Sequence, residues 1–375
     1  MAPEKKKSSG CTTGPCAPQG CLSCFNVFDD KENVDVATRK GGKTINDAHP
    51  CMDLDSRTVH EGKATMGEGS DAVVVRYAYI CQKGYHPSKL NWICQDDCQV
   101  IDKYRGVDNQ LFVGVFDGHG IVGEGDLAAQ KAKNYLPIRF GEALDSSNGK
   151  VKVAFEKAFE ATSDQMVKEL LNESGSTAVA ALFQGKNLYI SNCGDTRAVL
   201  GQQIEGTHRL VPVELSSDHK AFRADERMRI LRDHPNTEVL TFGMKDGRVP
   251  ISDEFGSPED PDVSADPPRI WVKGETYPGC SYTRSLGDAA AKKSGVLARP
   301  EVSVHKLSPT DKYMVMCTDG LTEFLTNEDI MGFCKKNDTP VDTCEELVQT
   351  AFNWFIDDDG WTDDITVVVA YFDWP

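Results

Sequence analysis

Three acidic residues stand at the ends of apolar runs in widely separated parts of the chain. The first run, Leu111-Phe112-Val113-Gly114-Val115-Phe116, reads as a strand covered on both faces, and it leads into Asp117-Gly118-His119-Gly120. The glycines mark a turn through which the strand is not expected to continue. They also leave the backbone bare, so a ligand can approach a carbonyl closely. The second run, residues 313–320 (YMVMCTDG), ends in Asp319-Gly320; the third, residues 365–372, is preceded by Asp363-Asp364. A carboxylate held at the rim of a packed sheet, beside an accessible carbonyl, is the oxygen ligand set that a hard cation such as magnesium or manganese prefers. One Asp-Gly after a strand is ordinary turn chemistry. Three such ends would converge on one metal cluster if their strands share a sheet.

The motifs in order extend this pattern. They are Gln95-Asp96-Asp97, residues 115–120 (VFDGHG), 174–181 (SGSTAVAA) and 192–199 (NCGDTRAV), followed by 283–288 (TRSLGD), 317–321 (CTDGL) and 363–366 (DDIT). In this order they resemble the metal-dependent protein phosphatases of the type 2C family, which hydrolyse phosphoserine and phosphothreonine. The likeness runs from about residue 77 to 372. It is strongest to plant and protist members, through residues 82–85 (QKGY), 266–272 (DPPRIWV) and 277–288.

The resemblance implies a role for each matching residue. Asp117, Asp319, Asp363 and the Gly118 carbonyl correspond to direct ligands of two magnesium or manganese ions. Asp96 corresponds to an acid that acts on them through water, and Asp195 and Glu323 to positions linked to a third, weaker ion. His119 corresponds to the general acid that protonates the leaving serine or threonine oxygen, a task its imidazole suits near neutral pH. A phosphate monoester is very slow to hydrolyse in water. Two adjacent cations clamp its oxygens and lower the pKa of the attacking water, so the protein has mainly to fix the carboxylates. Other readings stay open for some residues: Asp96 as a turn acid, Asp195 as part of a tight turn, His119 as a plain turn residue. Asp364 reads as a residue that orders the start of the last strand. Many family members carry an arginine that grips the phosphate where this chain has Asn91; Lys89 and His86 are the cationic side chains nearby. The expected activity is a phosphoserine/phosphothreonine phosphatase acting on phosphorylated proteins. The alternative is a weakly active phosphatase-like regulator that binds a kinase or phosphoprotein. No Gly-x-Ser-x-Gly elbow supports a serine hydrolase.

Composition narrows the remaining classes. The chain has 375 residues, 39% of them hydrophobic, which is enough for a large core. A net charge of -17 argues against nucleic acid as a partner. No apolar run approaches the ~20 residues of a membrane span, and Lys5-Lys6-Lys7 is not followed by the apolar stretch of a secretory signal. The thirteen cysteines therefore read as reduced thiols of a cytoplasmic or nuclear protein, expected to be a monomer, with Cys317 as core packing.

Residues 1–71, rich in Lys, Gly, Ser, Thr and Asp, read as a disordered leader before a catalytic domain spanning 72–375. Cys11, Cys16, Cys21 and Cys24 lie in that leader. Their spacing suits zinc poorly, and acylation beside the three lysines, giving lipid-mediated membrane contact, is a second reading. Gly41-Gly42-Lys43-Thr44 lacks the first glycine of a phosphate loop, since position 37 is Ala37. Strands are expected over 72–81, 98–102 (paired near the first), 176–183, 187–192, 197–201 and 365–372. Helices are expected over 126–140, 151–171, 218–233, 327–335 and 341–356. Residues 234–280 read as a loop-like flap. The alternation of strand clusters and helix pairs implies an α+β domain. The resemblance sharpens this to a sandwich of two antiparallel sheets flanked by helix pairs, with the metals at one end.

Overall fold

A computed structural model describes residues 52–53, 58–88, 93–120, 123–257 and 265–375. Its strands begin with β1 (His60–Met66), β2 (Val73–Gln82), β3 (Asp96–Asp102), β4 (Gln110–His119), β5 (Gly175–Gln184), β6 (Asn187–Cys193), β7 (Arg197–Gln203) and β8 (Leu210–Glu214). They continue with β9 (Thr237–Leu240), β10 (Arg269–Val272), β11 (Pro278–Cys280), β12 (Leu286–Gly287), β13 (Glu301–Lys306), β14 (Asp311–Cys317) and β15 (Ile365–Asp373). The helices are α1 (Gly125–Ser146), α2 (Val151–Glu169), α3 (Ala224–Asp233), α4 (Phe242–Lys245), α5 (Ala289–Lys292), α6 (Asp319–Thr322), α7 (Asn327–Lys336) and α8 (Pro340–Asp359).

One sheet has the order β1-β2-β15-β14-β7-β8, the other β13-β6-β5-β4-β3 with β12 against β5. The period-2 alternation of side chains assigns each strand's residues to two cores. On β15, Val368, Ala370 and Phe372 pack between the sheets, whereas Val367, Val369 and Tyr371 meet Ile330 of α7 and Leu347, Val348 and Phe352 of α8. On β4, Leu111, Val113 and Val115 join the inter-sheet core, and Phe112 and Phe116 pack on α1 and α2 through Leu136, Phe140 and Phe155. Gly114 makes room for those rings: a Cβ there would stand 2.7 Å from the Phe116 ring. Each buried aromatic or aliphatic side chain contributes roughly 1.5–3 kcal/mol through burial. The result is the expected layering of helix pair, sheet, sheet, helix pair.

Antiparallel register brings the acids to one edge. Asp96 of β3 lies directly opposite Asp117 of β4. Both share the inward parity of Cys98 and Val115, so both carboxylates enter the gap between the sheets. Cys317 of β14 faces Val367 of β15, which brings the end of one strand and the start of the other, with Asp319 and Asp363, to that same edge.

Several expectations need correction. The folded chain begins before residue 72: β1 pairs along its whole length with β2, Ala64 and Met66 enter the inter-sheet core, and Met52 is buried against the α7–α8 side. Residues 1–51, with Cys11, Cys16, Cys21 and Cys24, lie outside the described residues. β3 does not pair near β2; it lies in the other sheet beside β4, and the two strands meet only face to face, where Cys81 and Cys98 bring their sulfurs to 3.3 Å. β4 does not stop at Asp117, because Gly118 and His119 stay extended against Ser176 and Gly175. α1 runs on past residue 140, carrying Pro137 inside it, and α3 starts only at Ala224. The flap is not a bare loop: β11-β10-β9 form a small sheet, and the Trp271 indole donates to the Leu240 carbonyl at 2.8 Å.

Candidate active site

At the sandwich edge the carboxylates of Asp96, Asp117, Asp319 and Asp363 converge, with Asp195 and Glu323 beside them. Each is placed by a different local device. Asp117 is carried by β4, and the Gly118 amide donates to the Gln95 carbonyl at 3.0 Å. A Cβ on Gly118 would lie 2.0 Å from the Gly125 carbonyl, so it is protein backbone that demands this glycine. Asp96 accepts a 2.8 Å hydrogen bond from the Thr318 hydroxyl, whose oxygen in turn accepts from the Thr366 amide at 3.0 Å, tying the two sheets together. Asp319 opens the helical turn α6 directly after Thr318. Asp195 follows Gly194, whose φ of +119° and 2.3 Å clearance to Thr177 admit only glycine.

The electrostatics of the cluster are those of a site short of positive charge. Burial first, then repulsion among the acids, lifts Asp96, Asp117 and Asp363 well above the usual carboxylate range. Burial also lifts Asp195, to about 6, against the pull of the Lys220 ammonium. Glu323 rises to about 7 through desolvation and the Asp319 charge, although its exposure at the rim lets solvent soften that push. The compensating cation is Lys220, whose Nζ stands 3.8 Å from Asp195 and 3.9 Å from Asp319. Opposite Asp117, the Thr177 hydroxyl is buried with no hydrogen-bond partner among the described residues. Crowded carboxylates and an unsatisfied buried hydroxyl are a lining that divalent cations and their waters would complete, so these residues fit magnesium or manganese.

The raised carboxyl pKa values set the sign of a pH dependence. In the metal-free protein these groups hold protons that the unfolded chain releases near pH ~4. Between there and the folded values, about 6 for Asp195 and about 7 for Glu323, the folded state binds more protons, so stability is lost as pH rises. Thermal melts in chelator are expected to show a melting temperature that falls from about pH 5.5 to about pH 8, with most of the slope removed by magnesium or manganese. A melting temperature that climbs over that range without metal would contradict the crowding of these acids.

His119, at the end of β4, is held by groups that the sequence reading did not single out. Its Nε2 lies 2.8 Å from Asp288 Oδ2 and 2.7 Å from the Tyr282 hydroxyl, and the two rings are 4.6 Å apart. Burial pulls the imidazole pKa down, but the Asp288 charge and hydrogen bond more than reverse this, leaving it above its ordinary value. Asp288 belongs to the motif at 283–288, yet its partner is 169 residues away. The Gly287-Asp288 turn signal was the only local hint. Lys220 and Tyr282, joined by an isolated β-bridge, carried no hint at all.

Of the expected phosphate contacts, His86 lies beside Trp361, ring centroids 6.1 Å apart, with Nδ1 2.9 Å from the Ser88 hydroxyl. Lys89, with Asn91, lies outside the described residues. Asp364 does order the start of β15: its two oxygens accept the Gly84 and Gln95 amides, each at 2.7 Å. A separate acidic group, Asp225, Glu226 and Glu301, is compact enough to hold an ion. Its carboxylates are instead taken by Arg223, Arg229 and Arg284, which makes it an ion-pair network.

A family model described as Protein phosphatase 2C matches residues 91–355, well over half of the chain. The "Probable protein phosphatase 2C 35" of Arabidopsis thaliana is 30% identical over 299 residues, covering 78% of this chain and 83% of its own length. The "Probable protein phosphatase 2C 72" of the same plant is 29% identical over 293 residues, covering 74% of this chain and 81% of its own. Among solved structures, the serine-threonine phosphatase 2C from Toxoplasma gondii aligns with a TM-score of 0.61 at 19% identity, over 84% of this chain and 99% of that one. At that identity the likeness speaks for the fold alone. No helix among the described residues is long and apolar enough to cross a membrane.

Proposed function

The chain belongs to the protein phosphatase 2C family and is a protein-serine/threonine phosphatase, and we propose that it works through two magnesium or manganese ions at the sandwich edge. Asp117, Asp319, Asp363 and the Gly118 carbonyl would hold them, with Asp96 acting through water and Asp195 and Glu323 serving a weaker third ion. When bound, the cations would screen the phosphoryl oxygens and acidify the attacking water. The protein's own residues do the rest. The two packed sheets fix the carboxylates, so no reorganisation is needed as charge develops. His119 supplies the proton that the departing serine or threonine oxygen requires. For the phosphate group the candidates are Lys89 and His86, joined by Lys220, whose ammonium already lies among the acids.

The observation that carries this reading is the convergence of buried carboxylates from both sheets with too little positive charge to balance them. Its test is hydrolysis of a phosphoserine peptide. Turnover is expected with manganese or magnesium, to vanish in excess chelator and to return when cation is restored. Sustained turnover in chelator, with no metal bound by mass analysis, would overturn the two-cation reading. Tight phosphopeptide binding without turnover under any cation would favour the regulator.

A further inference from the structure

We propose that Asp288 is the positioning residue of the proton donor, locking the His119 ring in the orientation needed to protonate the leaving oxygen, with Tyr282 completing the clamp. The inference rests on the reading of His119 as general acid.

The geometry is that of a built support. Asp288 is 2% exposed, far from where a carboxylate would sit by default. It adopts the left-handed region, φ +51° and ψ +54°, which aspartate tolerates at some cost and most residues avoid. Its amide donates to the Ser174 carbonyl at 2.9 Å, and its Oδ2 accepts from the Ser285 hydroxyl at 2.5 Å. Gly175, the register partner of His119, must be glycine for the carboxylate to fit: a Cβ there would come within 2.2 Å of Oδ2. Three elements, β4, β5 and the β12–α5 turn, are therefore shaped around a single contact, Oδ2 to His119 Nε2.

The chemical consequence follows from which nitrogen is engaged. Both contacts fall on Nε2, so the proton for the substrate comes from Nδ1. As the bond from phosphorus to the serine oxygen breaks, its electron pair stays on that oxygen, which takes the Nδ1 proton of the imidazolium. The entering water forms the new bond to phosphorus and gives up a proton to solvent, from which the ring is recharged. Throughout, the Nε2 proton stays on the bond to Asp288. Without that carboxylate the ring is free to turn its Nδ1–H away from the leaving oxygen.

Such support matters only where the leaving oxygen needs a proton, which gives a test that a merely structural role would not pass. Asp288→Asn keeps the shape and suits the left-handed backbone. It is expected to lower kcat on a phosphoserine peptide by on the order of 10²-fold, but on 2,4-dinitrophenyl phosphate, whose oxygen departs as a stable anion, by no more than ~5-fold. His119→Gln should show the same split, and the double variant should be no worse than His119→Gln alone, since the pair acts as one unit. Equal losses on both substrates, or additive losses in the double variant, would overturn the inference while leaving the phosphatase reading intact. A wild-type protein inert towards both substrates would sink that reading and the inference with it. If Asp288→Asn fails to melt as a folded protein, Tyr282→Phe, which withdraws one hydroxyl from the clamp, carries the comparison. It should show the same split at ~3–10-fold, and no split would count against the clamp.

Discussion

Replacing Asp319 by asparagine is expected to lower turnover on a phosphoserine peptide by ~10²-fold or more, which corresponds to losing ~3 kcal/mol or more of transition-state stabilisation. The shape of the side chain survives, but an amide is a poorer ligand for a hard cation and brings no charge to balance two dications. The same change should leave the metal-free fold at least as stable as before. Asp319 is a source of the repulsion that raises Asp117, Asp363 and Glu323, so neutralising it relieves a cluster of like charges. One opposing contribution is the loss of its attraction to Lys220, 3.9 Å away, which keeps Asp195 as a partner. Steady-state kinetics with manganese, beside thermal melts in chelator, separate the two effects. A variant that keeps wild-type turnover, or that loses activity only because it unfolds, would remove Asp319 from the metal centre.

The acids were legible in the sequence because the fold spaces them by a rule that sequence also obeys. An apolar run ended by an acid is what a buried strand with a functional rim looks like, and antiparallel pairing brought β3, β4, β14 and β15 to one edge. The layers were legible for the same reason: alternation on β15 and the apolar stripe of α2 are local signals. What stayed hidden depended on partners far away in the chain. β1, HEGKATM, offers only Ala64 and Met66 to the core and draws its order from β2. Pro137 reads as a helix breaker because it offers no N–H to the Lys133 carbonyl, yet α1 is held through it by packing on β4, and the Gln99 side-chain amide donates to that carbonyl at 2.7 Å. Gly118 reads as a turn, but pairing with Ser176 keeps it extended. Asp288 and Lys220 sit among residues whose local pattern suggests only a turn and a basic helix. Their roles arise from His119 and from the acid cluster, which reach them only in the folded chain.

Asp364 separates the two kinds of acid most sharply, because it adjoins an inferred ligand and yet does structural work. It is 3% exposed, and its two oxygens accept the buried Gly84 amide and the half-buried Gln95 amide, binding two distant segments to the start of β15. Asparagine can satisfy one of these donors with its carbonyl oxygen but turns an NH₂ group towards the other. Asp364→Asn is therefore expected to cost on the order of 2–4 kcal/mol of stability, lowering the melting temperature by roughly 3–6 °C for a domain of this size. Its turnover, measured well below the melt with saturating manganese, should stay far closer to wild type than that of Asp319→Asn. The opposed signatures, activity lost with the fold kept at Asp319 and stability lost with the chemistry kept at Asp364, are what a metal shell containing Asp363 but not Asp364 requires. Equal small effects on turnover would undo the assignment of Asp319. Greater damage to turnover at Asp364 would move the last ligand one residue along the chain, from Asp363 to Asp364.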